Sequence, residues 1–162
     1  WTAPLPADAA GFKKGERPGE NAIDTKTMPE GSRTELVVRN CLLEGWKQPG
    51  QISLMAALNL KENIKVLVEN CVFSDNEIAC RLRGSNHRGG TWVTIRDCAF
   101  YDCMVAIRAE EKIENLKLLR IGFGDGVTRK LRPVAGGIGP GHENTGERKV
   151  PDLKVAIRSG LR

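Results

Sequence analysis

The sequence predicts an all-β fold, a right-handed parallel β-helix of about four coils, and three observations carry that expectation. A short cysteine-centred pattern returns along the chain, its apolar residues alternate with period two, and the spacing between copies leaves no room for a crossover helix of ordinary length.

The first series comprises "LVVRNCLL" from Leu36, "VLVENCVF" from Val66, "VTIRDCAF" from Val93 and "LKLLRIGF" from Leu116, with register advances of 30, 27 and 23 residues. Leu36/Val38, Val66/Val68, Val93/Ile95 and Leu116/Leu118 alternate, so each copy reads as a strand with one buried face. Cys41, Cys71, Cys98 or Ile121 follows three residues later, then Leu43, Phe73, Phe100 or Phe123. The offset of three breaks the alternation and predicts a bend between two short strands.

A second series interleaves with the first: "AIDTK" at 22–26, "ALNLK" at 57–61, "ACRLR" at 79–83, "AIRAE" at 106–110 and, after a long gap, "AIRSG" at 156–160. Strands that stack on their equivalents one coil later, all in one direction, make a parallel solenoid, and crossover handedness favours the right-handed form. The stretch "EEKIENLKLL" hints at a helical stripe but falls in register with the first series, so it reads as turn and strand. The expected organisation is a loop-like extension over 1–20, coils over 21–126, a long Gly-rich excursion over 127–152 and a final strand over 153–162 of the same domain. Exposed end coils carry unpaired backbone edges, which makes self-association through them an expectation.

In such a solenoid equivalent residues lie about 4.8 Å apart along the axis. Cys41, Cys71 and Cys98 then form an internal column; the geometry permits a disulfide between neighbours, while a packing role explains all three at once. Five cysteines without a CxxC pair argue against a disulfide framework or a zinc site. No apolar run approaches the roughly 18–20 residues that span a bilayer, so no membrane span is expected. The chain opens at Trp1 without a signal-like segment, which reads as a piece of something longer.

The net charge of +5 equals the excess of eight Lys/Arg over three Asp/Glu within residues 128–162. Alternation in the second series turns Asp24, Asn59, Arg81, Arg108 and Arg158 outward in one column and Lys26, Lys61, Arg83, Glu110 and Gly160 in the next. Six of these ten are cationic, and like charges stacked about 5 Å apart repel unless an anion lies between them. The functional reading is a strip that receives a linear polyanion; the structural alternative is a solvated basic face. Nucleic acid is not the expected polyanion, because no aromatics interleave with the cations.

His87 and His142 lack nucleophile partners at motif spacing and read as surface residues. The run from Gly122 to Gly126 opens no predicted helix and lacks the Walker residues, so it is not a phosphate loop. Trp1, Trp46 and Trp92 are candidates to stack on sugar rings, Trp46 the best placed of them.

"GENAIDTK", "MAALNLKENI", "EIACRLRG", "GGTWVTIRDCAFYD" and "VAIRAEEKIENLKL" together resemble bacterial right-handed parallel β-helix proteins of the pectate-lyase-like superfamily, over about residues 19–126. The resemblance implies a secreted or periplasmic protein that acts on or binds an acidic polysaccharide. A lyase of this kind works by β-elimination: a cation, often Ca²⁺, neutralises the uronate carboxylate and a Lys or Arg removes the C5 proton. By position, Asp24 and Lys26 are the first implied candidates for cation ligand and base, with Glu20 and Asn59 as further oxygens near Asp24; the stacked cations Lys26, Lys61 and Arg83 complete the catalytic set by lowering the base's pKa. The outward alternation itself makes Asn59, Arg81 and Arg108 the candidate substrate-binding residues, and Trp46 joins them as the sugar-stacking candidate. Because the superfamily includes non-catalytic members, the alternative is a binding or assembly module.

Overall fold

In the computed structural model, which describes residues 2–26, 31–84 and 89–159, fourteen strands and one helix follow in order. They are β1 (Asn21–Asp24), β2 (Thr34–Arg39), β3 (Leu42–Glu44), β4 (Ala56–Leu60), β5 (Ile64–Glu69), β6 (Val72–Ser74) and β7 (Ile78–Arg83). Then come β8 (Thr91–Arg96), β9 (Ala99–Tyr101), β10 (Val105–Glu110), β11 (Asn115–Leu119), β12 (Gly122–Phe123), β13 (Arg129–Val134), β14 (Glu143–Asn144) and α1 (Leu153–Ser159).

These strands wind into a parallel β-solenoid of about four turns with three sheets. Sheet order is β1-β4-β7-β10-β13, β2-β5-β8-β11-β14 and β3-β6-β9-β12, every pair parallel. Every rung of the first series pairs in the register its alternation predicts, Leu36↔Val66↔Val93↔Leu116, and Leu43↔Phe73↔Phe100↔Phe123 follows in the third sheet. Three Phe rings stack up the interior, with centroids 5.0 Å apart between Phe73 and Phe100 and 5.5 Å between Phe100 and Phe123.

The bend between second and third sheets is a single left-handed residue per coil: Asn40, Asn70, Asp97 and Arg120, at φ 58°, 51°, 55° and 49°. Asn and Asp tolerate this region better than other L-residues. Asn70 Nδ2 donates to Asn40 Oδ1 at 2.7 Å, which starts an amide ladder outside the corner. At the top of the column Asp97 instead takes Arg120 through two bonds of 2.8 and 2.6 Å.

In the first sheet the alternation also breaks. Consecutive Ala57 and Leu58 both belong to the core, as do Ala79 and Cys80 and then Ala106 and Ile107.

Two expectations need correction. The segment "AIRSG" is not a final strand: 153–159 is the helix α1, whose Leu153 and Ala156 pack on Val72, Ala99 and Tyr101 on the outside of the third sheet. Their spacing of three suits a helix face, and Tyr101 Oη donates to Pro151 O at 2.6 Å to fix its entry. The fifth rung of the first sheet comes instead from β13, inside the stretch expected to be an excursion, with Ile107↔Leu131 and Arg108↔Arg132 as partners. Pro133 has no N–H to donate, and an edge strand tolerates it.

Candidate functional site

The first sheet brings the predicted strip together. Asp24, Asn59, Arg81, Arg108 and Arg132 align in one outward column, with Arg132 where Arg158 was expected; Arg158 lies on α1. Arg83↔Glu110↔Val134 forms the next column, and Lys61, one residue past β4, continues it. The face is not openly solvated: Asn59, Arg108 and Glu110 are buried, and the Lys61, Arg81 and Arg83 side chains are only 17%, 17% and 21% exposed. Lys26 differs, at 70%.

Stacking rather than solvent explains this. Glu110 sits among three guanidinium groups: Arg81 donates through Nε and Nη2 to its two oxygens at 3.0 Å each, Arg108 Nε lies 2.5 Å from Oε1, and Arg83 Nε lies 3.2 Å from Oε2. Arg83 also reaches Glu111 Oε1 at 2.8 Å. Burial pushes the Glu110 carboxyl upward, but the hydrogen bonds and charges of Arg81 and Arg108 prevail and hold it below its ordinary value. At the other end Asp24 Oδ1 accepts from Asn59 Nδ2 at 3.1 Å and lies 3.0 Å from Lys61 Nζ, while Lys26 Nζ lies 3.4 Å from Oδ2. Thus Lys26, Lys61, Arg81, Arg83 and Arg108 meet the carboxylates of Asp24, Glu110 and Glu111, and cations remain in excess among these eight.

Such an arrangement suits binding better than proton abstraction. Lys26 and Lys61 are ion-paired with Asp24, and Arg83 donates to Glu111. Ca²⁺ takes six to eight oxygens, yet at Asp24 three nitrogen donors converge on one carboxylate, and Glu20 is exposed at the entry to β1. No group of three or more His, Cys, Asp or Glu is placed to hold a metal among the described residues. The residues around Asp24 do not fit Ca²⁺.

Trp46 is half-buried and packs against the core, its backbone N–H donating to Asn76 Oδ1 at 3.0 Å. Trp92, 40% exposed, is instead an open aromatic. It lines a groove of about 420 Å³ on the outer face of the second sheet with Val37, Lys65, Leu67, Thr94 and Lys117. Arg33 stacks on one face of its ring, 4.2 Å from the centroid, and is anchored by the carbonyls of Gly89 and Gly90 at 3.0 and 2.9 Å. Alternation alone turns Trp92 outward opposite Val93, the signal that could have ranked it above Trp46.

Cys71, Cys80, Cys98 and Cys103 are buried, whereas Cys41, expected inside the column, is exposed at its end because no coil packs below it. Burial pushes Cys80 upward and Cys103 up to about 11, which suits packing rather than nucleophilic attack. His142 is half-buried, with Nδ1 3.2 Å from Leu116 O; His87 and Trp1 lie outside the described residues. No helix among the described residues is long and apolar enough to cross a membrane. Comparison with known protein families, curated proteins and solved structures finds no match to this chain.

Proposed function

We propose that this chain binds an acidic polysaccharide along the outer face of the first sheet, as a non-catalytic module. One observation carries the reading: Lys26, Lys61, Arg81, Arg83 and Arg108 gather on successive rungs of one sheet face in excess of the carboxylates between them. Carboxylates or sulfates at regular intervals along a glycan then meet cations at the repeat of the solenoid, with guanidinium groups giving directed contacts. Arg132 on the exposed strand β13 lengthens the strip by one rung. The resemblance to pectate-lyase-like proteins supports the same ligand class and a secreted or periplasmic place of action. The ion pairs on Lys26, Lys61 and Arg83 favour binding over the lyase alternative.

Titration with pectate, alginate and a glycosaminoglycan, each with and without Ca²⁺, tests this reading. Saturable binding that weakens with salt is expected, with no rise in the absorbance of unsaturated uronates. A rise with any of them establishes the lyase alternative instead. Reversal of Arg81 and Arg83 to Glu should weaken binding about tenfold or more, a difference of roughly 1.4 kcal/mol. Reversal of the peripheral Lys26 and Arg132 gives the same readout without disturbing the Glu110 cluster. Unchanged affinity in both variants, with folding intact, sinks the proposal.

A further inference from the structure

We propose that Cys41 and Cys71 are a thiol pair which a small-molecule disulfide converts into a disulfide bond joining the first two coils. The proposal rests on the register. Cys41 and Cys71 occupy equivalent corners, fixed on one side by Arg39↔Glu69 and on the other by Leu42↔Val72, and Val72 N donates to Cys41 O at 2.9 Å. The pair is thus held about one strand spacing apart, roughly 4.8 Å, inside the 4.4–6.8 Å range over which two Cα atoms accept a disulfide.

The side chains are already adjacent. Each thiol in the column donates to the carbonyl two residues before it: Cys41 to Arg39 O at 3.2 Å, Cys71 to Glu69 O at 3.3 Å and Cys98 to Arg96 O at 3.2 Å. Cys71 Sγ also lies 3.6 Å from Val38 O and Cys98 Sγ 3.7 Å from Val68 O, so each thiol reaches the strand of the coil below. The neighbouring Cys98 thiol lowers Cys71 to about 7 despite its burial. Burial, and after it the neighbouring Cys71, pushes Cys98 up.

Access decides which two react. Cys98 is wholly buried, whereas Cys41 is exposed and lines a cavity of about 190 Å³ with Asn40, Leu42, Asn70, Val72 and Ala156. Being exposed, Cys41 can rotate toward the reagent and back. Desolvation and then the neighbouring Cys71 raise the Cys41 thiol above its ordinary value, so the thiolate that forms at alkaline pH attacks one sulfur of the reagent RSSR, expelling RS⁻ and leaving a mixed disulfide on Cys41. The Cys71 thiolate then attacks the Cys41 sulfur and expels the second RS⁻. Two protein thiols give up two protons and two electrons, and RSSR becomes two RSH. The bond closes the stretch between the two residues and holds the first coil, which is paired on one side only, to the second.

Folded protein is incubated with oxidised glutathione, then assayed for free thiols, intact mass and cross-linked peptides. The five thiols should fall by two, the mass by about 2 Da, and a peptide containing residue 41 should be joined to one containing residue 71. The melting temperature should rise and return on reduction. Cys98→Ser should behave like the parent, and Cys41→Ser should keep its remaining thiols. A glutathione adduct that stays on Cys41, a bond between Cys71 and Cys98, or an unchanged thiol count in folded protein whose denatured chain does react, overturns the proposal.

Discussion

Arg81 grips Glu110 with two parallel bonds of 3.0 Å, although the two residues lie on neighbouring strands and are offset by one outward position. The sheet pairs Arg81 with Arg108 and Arg83 with Glu110, so a straight rung would set two guanidinium groups side by side. The diagonal contact resolves this by placing one carboxylate among three cations. Glu110→Gln removes that charge and leaves Arg81, Arg83 and Arg108 facing one another at 17%, 21% and 11% exposure. Breaking a largely buried pair from one side costs about 3 kcal/mol. Urea unfolding should show a loss of that order; a loss near zero would mean that solvent already screens the cluster.

The same cluster sets an acid limit. Glu110 is held below its ordinary value of 4.5 by Arg81 and Arg108 against the opposing effect of burial, and Asp97 below 3.8 mainly by the hydrogen bond from Arg120. A carboxyl lowered on folding contributes its full stability above the unfolded value and loses it as pH falls through the folded one. Stability should therefore hold from pH 7 to about 5 and decline below about 4.5. In Glu110→Gln the decline should be shallower, and urea midpoints measured across that window would show it.

Much of the fold was legible because it rests on period two and on the return of one pattern. Leu36, Val66, Val93 and Leu116 alternate cleanly, and the three-residue step to Cys41, Cys71 and Cys98 marks the left-handed corner that the structure places at Asn40, Asn70 and Asp97. The fifth rung was hidden because β13 reads "RKLRPV", with Leu131 its large inward residue and a proline near its end. Its competitor "AIRSG" copies the repeat in letters, yet the rung was already filled. The outward composition of the strip could be read, but not its charge pairing. Which carboxylate reaches which arginine depends on diagonal contacts and rotamers, and alternation carries no information about either.

The corner ladder separates two costs in one position. Asn70 adopts φ 51° and donates to Asn40 Oδ1 at 2.7 Å. Asn70→Ala loses the bond and also places a less tolerant residue in the left-handed region, so it should cost about 1–2 kcal/mol. Asn70→Gly loses the bond and keeps the conformation accessible, so it should cost less than Ala. Equal losses in thermal or urea unfolding would show that the ladder, not the backbone conformation, dominates this corner.

Trp92 provides the independent check on where a polyanion lies. Its groove is on the second sheet, whereas the cationic strip is on the first, so the two surfaces belong to different faces of the solenoid. If the glycan follows the strip, Trp92→Ala should leave the dissociation constant within about twofold of the parent, less than 0.5 kcal/mol. It should still lower stability, by about 0.5–1 kcal/mol, through loss of the Arg33 contact. A variant that folds normally but no longer binds would move the site to the second sheet. The exposed ring would then be its platform, with Arg33 on its face and Lys65, Arg96 and Lys117 lining the same groove.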